Sequence, residues 1–387
     1  EVGALLDTRT FMSHGFKVNL NFHFLIPSYL KRIKCFLSGD ELHFETIPTQ
    51  ELSYDILEDD FNTYVYADTE DSNIPRFTYA DFQKENYYMQ LSRIHGVNRD
   101  IRLNFTDSLE TRLKLNFVAF YSDNKEDGRY TFLYNQTPLP RYNSRMTDVW
   151  GYYNGRCYSD FFGHLGEHLD EVRVPDKDAM MAEILTAIQY PTGGWTFYNY
   201  EPHSYVKKCL PMNFDMATCS EESITGGLRI KSITDCDSDK SELHTRTFEY
   251  LEAVQEGTIQ KTQPSGILTV EIKSRMVGKY PNALTDNAAF IIYSEKPLLP
   301  LSDTDGKHIT YSCVRERFPD GGYIEYKYSN SEEVRFRDSM PAKETGRLCD
   351  LPLYPKFTSK SLSRGLLLSK KTYNSTQSLP EQDILIN

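Results

Sequence analysis

The sequence predicts a mainly β fold, an extended antiparallel sheet of successive β-hairpins with one short helix. Three observations predict it. Tyr and Phe number 27 and 22 and, with 2 Trp, make up a 13% aromatic content; these residue types suit pleated, half-buried surfaces. Apolar and polar residues alternate with a period of two over many short runs. Polar turns containing Gly, Asp or Asn separate those runs, as hairpins require.

The first hairpin runs from Tyr29 through Ile33 to a turn at Ser38, Gly39 and Asp40, and returns through Leu42 and Phe44. A second places Leu91 and Ile94 before a turn at 96–100, with Ile101, Leu103 and Phe105 after it. The third is the clearest. Leu113, Leu115 and Phe117 lead to a turn containing Asp123, Asn124, Asp127 and Gly128, and Tyr130, Phe132 and Tyr134 return on one face. Downstream, Ile184 to Tyr190 meets Pro191, Thr192, Gly193 and Gly194 before Trp195 and Phe197. Leu228, Ile230 and Ile233 then enter an acidic turn and return at Phe248 and Tyr250. Ile309, Tyr311 and Cys313 connect through Pro319, Asp320, Gly321 and Gly322 to Tyr323, Tyr326 and Tyr328, and Leu366 to Tyr373 adds a final strand.

The helix is expected at Pro175 to Glu183, where Pro175 and Asp176 form a start signal ahead of Ala179, Met180 and Ala182. Glu51 to Asn73 and Pro211 to Glu222 are acidic or irregular and read as excursions from the sheet. Breaks near 143–146 and 222–227 divide one continuous β architecture into three regions. Residues 1–143 hold N-terminal hairpin repeats, 144–224 an insert region with the helix, and 225–387 C-terminal hairpin repeats.

Composition narrows the function. Lys plus Arg total 43 against 55 Asp plus Glu, a net charge of −12, which argues against a nucleic-acid partner or a polybasic membrane surface. The longest apolar runs fall far short of the ~18 residues of a spanning helix. Glu1 in place of Met suggests a processed product or a piece of a longer chain. Seven Cys contain no C-x-x-C pair, which removes the zinc-ribbon and thioredoxin readings. The odd count leaves at least one thiol free, and spacing alone leaves a Cys209 to Cys219 bridge open.

His164, Glu167 and His168 fit H-x-x-E-H, an inverted zinc-peptidase pattern that needs both His on one helical face. Gly163 and Gly166 interrupt that helix, which favours a solvated loop. Asp235, Asp237 and Asp239 open like a calcium loop, but Lys240 stands where Gly is required and Arg246 where Glu is required. An acidic turn is the better reading. With no nucleophile elbow, phosphate loop or dinucleotide fingerprint in the chain, neither an enzyme nor a cofactor is expected. Trp150, Tyr152, Tyr153 and Trp195 form the candidate binding set, a platform on which a sugar ring or another chain would stack. The competing and favoured reading makes them inward pegs of a tight corner, with Gly151 and Gly155 permitting close backbone approach.

The run from Arg112 to Arg156 contains Asp148, Trp150, Gly151, Tyr152, Tyr153, Asn154 and Gly155, a D-x-W-G-Y-Y-N-G block. A Y-P-T-G-G turn follows at Tyr190 to Gly194 with Glu201, His203 and Tyr205 after it, and a G-G-L-R-I-K-x-I run spans Gly226 to Ile233. In order and spacing this chain resembles the exported and cell-surface proteins of Bacteroidetes that carry Rhs-like, YD-type repeats. Val149 stands where that family has His or Tyr. The resemblance covers roughly residues 80–375. It implies a sheet that spirals into a hollow, non-catalytic wall attached to another domain, at the extracellular or outer-membrane surface of a Gram-negative bacterium. Under it, Asp107-Ser108-Leu109 and Asp338-Ser339-Met340 resemble O-glycosylation acceptors of exported proteins. The expected function is a non-enzymatic scaffold that encases or docks another protein or another domain of the same polypeptide. A surface carbohydrate-binding protein is the alternative, and a secreted hydrolase with paired carboxylates the third.

Overall fold

In a computed structural model of the chain, sixteen strands among the described residues join one sheet, and fourteen of them follow one another along a single hydrogen-bonded path. The structure describes residues 28–50, 89–97, 99–108, 111–140, 144, 146–156, 169–210, 215–256, 259–269, 308–339, 358–375, 380 and 382–385, with short strand segments at 5–6, 10–12, 15–17, 20–21, 275–279 and 289–293. The path begins with β1 (Arg32–Lys34), β2 (Glu41–Pro48), β3 (Met89–His95), β4 (Asp100–Thr106), β5 (Lys114–Ser122) and β6 (Lys125–Tyr134). It continues through β7 (Leu185–Gln189), β8 (Trp195–Cys209), β9 (Met216–Cys236) and β10 (Glu242–Glu249). A hairpin of β11 (Leu251–Glu256) and β12 (Ile259–Pro264) stands outside the sheet. Beside the path, β13 (Gly266–Leu268) pairs with β8 in parallel and with β14 (Ile309–Tyr311) in antiparallel fashion. β15 (Cys313–Arg317), β16 (Tyr323–Tyr328), β17 (Leu367–Tyr373) and β18 (Gln382–Leu385) complete the path.

Strand pairing follows the alternation in the sequence. Ile33 faces Leu42, Ile94 faces Ile101, and Tyr130 faces Val118, as the hairpin reading requires. The registers place the turns at 35–40, 96–99, 123–124, 190–194, 237–241 and 318–322 along one end of the sheet. The strand ends Pro48, Thr106, Tyr134, Cys209, Glu249 and Tyr328 lie at the opposite end.

The third turn is tighter than expected. Asp123 and Asn124 alone form it, both with positive φ (50° and 62°), which matches the right-handed twist of the flanking strands. Asp127 and Gly128 belong to β6, where the register shifts between Glu126 and Gly128. A β-bulge there absorbs the residues that composition had assigned to the turn.

The two faces of β2–β6 differ. Glu45, Arg93, Arg102, Ala119 and Arg129 lie in one cross-strand row, in which Arg93 faces Glu45 on one side and the like charge of Arg102 on the other. Asp100 holds both Arg93 (2.7 Å) and Arg102 (2.8 Å), and Glu126 holds Arg129 (2.6 Å). Phe44, Ile94, Ile101 and Phe120 form the corresponding row of the other face.

Three expectations are corrected. Pro175 to Glu183 forms only a single 3₁₀ turn, Ala179–Met181, and the α-helix is a four-residue one upstream at Leu169–Val172. The Asp176 carboxylate does accept the N–H groups of Asp178 and Ala179. Ala182 is nevertheless extended and Glu183 has φ 54°, its N–H donating to Thr137 and its carboxylate pairing with Lys114 at 2.7 Å. These tertiary contacts end the turn where local propensity would have continued it. Residues 216–222, read as an excursion, open the long strand β9, where Met216 pairs with Cys209. The division between 224 and 225 therefore falls inside one strand. Glu51 to Asn73 lies outside the described residues.

Candidate functional site

β8 and β9, of 15 and 21 residues, are the longest strands among the described residues, and their middle portions carry Glu201, His203, Gly226, Gly227 and Arg229. Against them docks a loop built almost wholly from the D-x-W-G-Y-Y-N-G block. Thr147 and Tyr153 form a β-bridge at its neck, and the N–H of Asp148 donates to the Tyr152 carbonyl (2.8 Å). Asp148 Oδ1 accepts the N–H groups of Trp150 and Tyr152, both at 2.9 Å, an Asx-type turn. Gly151 takes φ 91° at the apex, a conformation that favours glycine. Asn154 is almost fully buried and donates Nδ2 to the carbonyls of Val172 (2.9 Å) and Val174 (3.1 Å), while Arg173 Nη2 donates to the Asp148 carbonyl at 2.8 Å. Asp148 Oδ1 and the Asn154 amide thus fold the loop and fasten it to 172–174.

The glycine pair of β9 receives the loop. A β-carbon at Gly226 would lie 2.5 Å from Asp148 Oδ2 and 2.7 Å from the Tyr152 ring, and one at Gly227 would lie 2.9 Å from that ring. The Gly227 N–H points to Met180 Sδ at 3.0 Å. His308 closes the assembly: Nε2 lies 2.8 Å from the Gly226 carbonyl, which requires a proton on that nitrogen, and the ring stacks on Trp150 at 5.5 Å.

Next to it lies a polar chain. Glu201 accepts from Arg229 Nε (2.7 Å), Arg229 Nη1 donates to the Tyr311 hydroxyl (3.2 Å), and that hydroxyl lies 2.7 Å from His203 Nδ1. With its oxygen accepting from Arg229, Tyr311 donates its proton to Nδ1, leaving the His203 proton on Nε2. Burial, with the neighbouring His308 and Arg229, lowers His203 to about 3, so it is neutral at physiological pH. Burial raises Tyr311 and Tyr250, whose rings meet at 4.7 Å, and the Arg229 guanidinium covers Tyr250 at 4.2 Å.

The four candidate aromatics do not form one platform. Trp150 and Tyr152 join the His308 assembly, and Tyr152 alone of the four has an exposed side chain, at 41%. Tyr153 is half-buried in the bridge with Thr147. Trp195 begins β8, buried with Ala187 and Cys236, stacked on Phe197 at 5.9 Å and covered by Lys240 at 4.7 Å. Asp235, Asp237 and Asp239 do not converge either. Asp235 accepts from Thr196 (2.6 Å), and Asp237 accepts the N–H groups of Asp239 and Ser241 to shape the turn. His164, Glu167 and His168 lie outside the described residues. Among the described residues no group of three or more His, Cys, Asp or Glu is arranged to hold a metal ion.

The described cysteines Cys35, Cys209, Cys219, Cys236 and Cys313 are free thiols, and Cys209 Sγ instead donates to Met216 Sδ at 3.4 Å. Sequence reasoning missed His308, Tyr311 and Tyr250 as members of the assembly. Their positions carry no local motif, and the Gly226-Gly227 pair entered the sequence reading only as the start of the G-G-L-R-I-K-x-I run. No protein-family model matches the chain, and no curated protein matches it.

Proposed function

We propose that this chain is a non-enzymatic β scaffold that docks another protein, or another domain of the same polypeptide, at the surface of a Gram-negative bacterium. One observation carries the docking role. Phe36, Leu37 and Val97 are 94%, 100% and 80% exposed on two neighbouring hairpin tips, and a β-carbon at Gly96 would lie 3.1 Å from Leu42 of the adjoining hairpin. Apolar side chains gathered in this way mark contact surfaces. His203, Tyr311, Arg229 and His308, by contrast, are engaged with one another or with the backbone, which supports architecture over catalysis. The surface address rests on the resemblance to Rhs-like proteins, as does a wall-like role for the sheet. No helix among the described residues is long and apolar enough to cross a membrane.

A photo-cross-linking amino acid at position 37 or 97, compared with one at 124, tests the reading in cells that produce the protein. The expected result is a discrete adduct to one polypeptide from 37 and 97 and none from 124. Adducts of equal yield from all three positions would count against it. Glycan-panel binding that Trp150→Ala or Trp195→Ala abolishes would replace it with the carbohydrate-binding alternative.

A further inference from the structure

Asp148 is fully buried, and its two carboxyl oxygens meet different surroundings. Oδ1 accepts two backbone N–H groups, whereas Oδ2 is buried with no hydrogen-bond donor. The Gly226 backbone is packed directly against Oδ2, so close that a β-carbon would fall 2.5 Å from it. Ionisation spreads charge onto Oδ2, which is buried and receives no protein hydrogen bond, and the two N–H groups on Oδ1 offset that burial only in part. A protonated carboxyl carries no charge.

The titratable and charged groups around the carboxyl come from every element that packs on the loop. Arg173 follows the short helix and gives Nη2 to the Asp148 backbone carbonyl, and its positive charge favours ionisation less than burial opposes it. Tyr152 sits on the loop itself. β8 contributes His203, held neutral, and His308 reaches the loop by stacking on Trp150. β9 presents only the glycine pair at this point.

We propose that Asp148 is a proton-controlled latch: in its acid form it holds the 147–155 loop closed on Gly226 and Gly227, and its ionisation makes that loop open more readily. Burial pushes the Asp148 carboxyl from 3.8 up to about 6 in the closed loop. In an opened, solvated loop the ordinary value returns. Below about pH 4 both forms keep the proton and closure is at its strongest. Between about 4 and 6 only the open form loses it, so closure weakens as pH rises, and above 6 the effect levels off. A difference of about two units corresponds to a roughly hundred-fold rise in the open population across that window.

Amide hydrogen exchange of the full chain at Trp150, Tyr152 and Gly227 tests this, corrected for intrinsic rates and referred to Val118 and Tyr130 in the β5–β6 hairpin. Protection at the first three should fall roughly hundred-fold from pH 4 to pH 7 relative to the reference amides, and Asp148→Asn should flatten that profile. Identical profiles in the two proteins overturn the proposal. Carbon-13 NMR of the Asp148 carboxyl in the unaltered chain is independent of whether the variant folds: a midpoint near 6 supports the latch, and one near 4 overturns it. In His308→Gln the pH transition should persist; its disappearance there would assign the titration to the imidazole and sink the Asp148 latch.

Discussion

Gly226 and Asp148 come from segments 78 residues apart in sequence, and a β-carbon on the glycine would lie 2.5 Å from the buried carboxylate oxygen. The contact joins the loop to the middle of β9, so it also sets where Trp150 and Tyr152 sit. Gly226→Ala cannot be accommodated by moving a flexible side-chain end, because Asp148, Tyr152 and Trp150 all crowd the same point. Overpacking of this kind costs about 2–3 kcal/mol. Urea unfolding followed by tryptophan fluorescence should show that loss, with Gly39→Ala of the exposed first turn as a milder comparison.

The Asp100 carboxyl responds to acid in the opposite sense from Asp148. Hydrogen bonds from Arg93 and then Arg102 outweigh its partial desolvation and hold it at about 2, below its ordinary 3.8. The depressed value stabilises the fold above about pH 4, and that contribution is lost as pH falls through 2. Acid unfolding should therefore show a steeper limb in the natural chain than in Asp100→Asn, and salt should reduce the difference.

Asp338 and Arg364 form an ion pair at 2.8 Å with almost no exposure on either side chain, and the Asp338 carboxylate also accepts the Lys360 N–H at 2.7 Å. Removing one member leaves a buried charge uncompensated, which costs about 3–5 kcal/mol. Asp338→Ala should lose that much in thermal or chemical unfolding. The double replacement Asp338→Leu with Arg364→Met should lose less than Asp338→Ala alone, since neither charge remains.

Turn chemistry can be tested at Asn124, where φ is 62°. Asn124→Gly should be tolerated, whereas Asn124→Val forces a β-branched residue into the left-handed region and should cost about 1–2 kcal/mol. Equal stabilities of the two variants would show that the β5–β6 hairpin does not depend on this turn geometry.

Alternation made the hairpins legible because each strand presents one face to one environment, and a shift by one residue would exchange the faces. Tyr130, Phe132 and Tyr134 could thus be assigned before any fold was known. That 175–183 would stop at a single 3₁₀ turn was not legible, because Glu183 is drawn into a backbone bond with Thr137 and an ion pair with Lys114, partners distant in sequence. The candidate aromatics show the same division. Gly151 and Gly155 pointed to a tight corner around Trp150 and Tyr152, but nothing near Trp195 indicated that Lys240 and Cys236 would enclose it.

The sequence alone determined the strands, their turns and the self-folding of the Asp148 to Gly155 loop, since each depends on backbone preferences and hydrogen bonds between near neighbours. Only the tertiary structure decided that the loop packs on Gly226 and Gly227 and that His308 and Tyr311 complete the assembly. It likewise decided that Asp148 loses its water and that Phe36, Leu37 and Val97 keep theirs. Burial depends on which distant segments meet, and a carboxyl or an apolar side chain acquires its energetic character from that meeting.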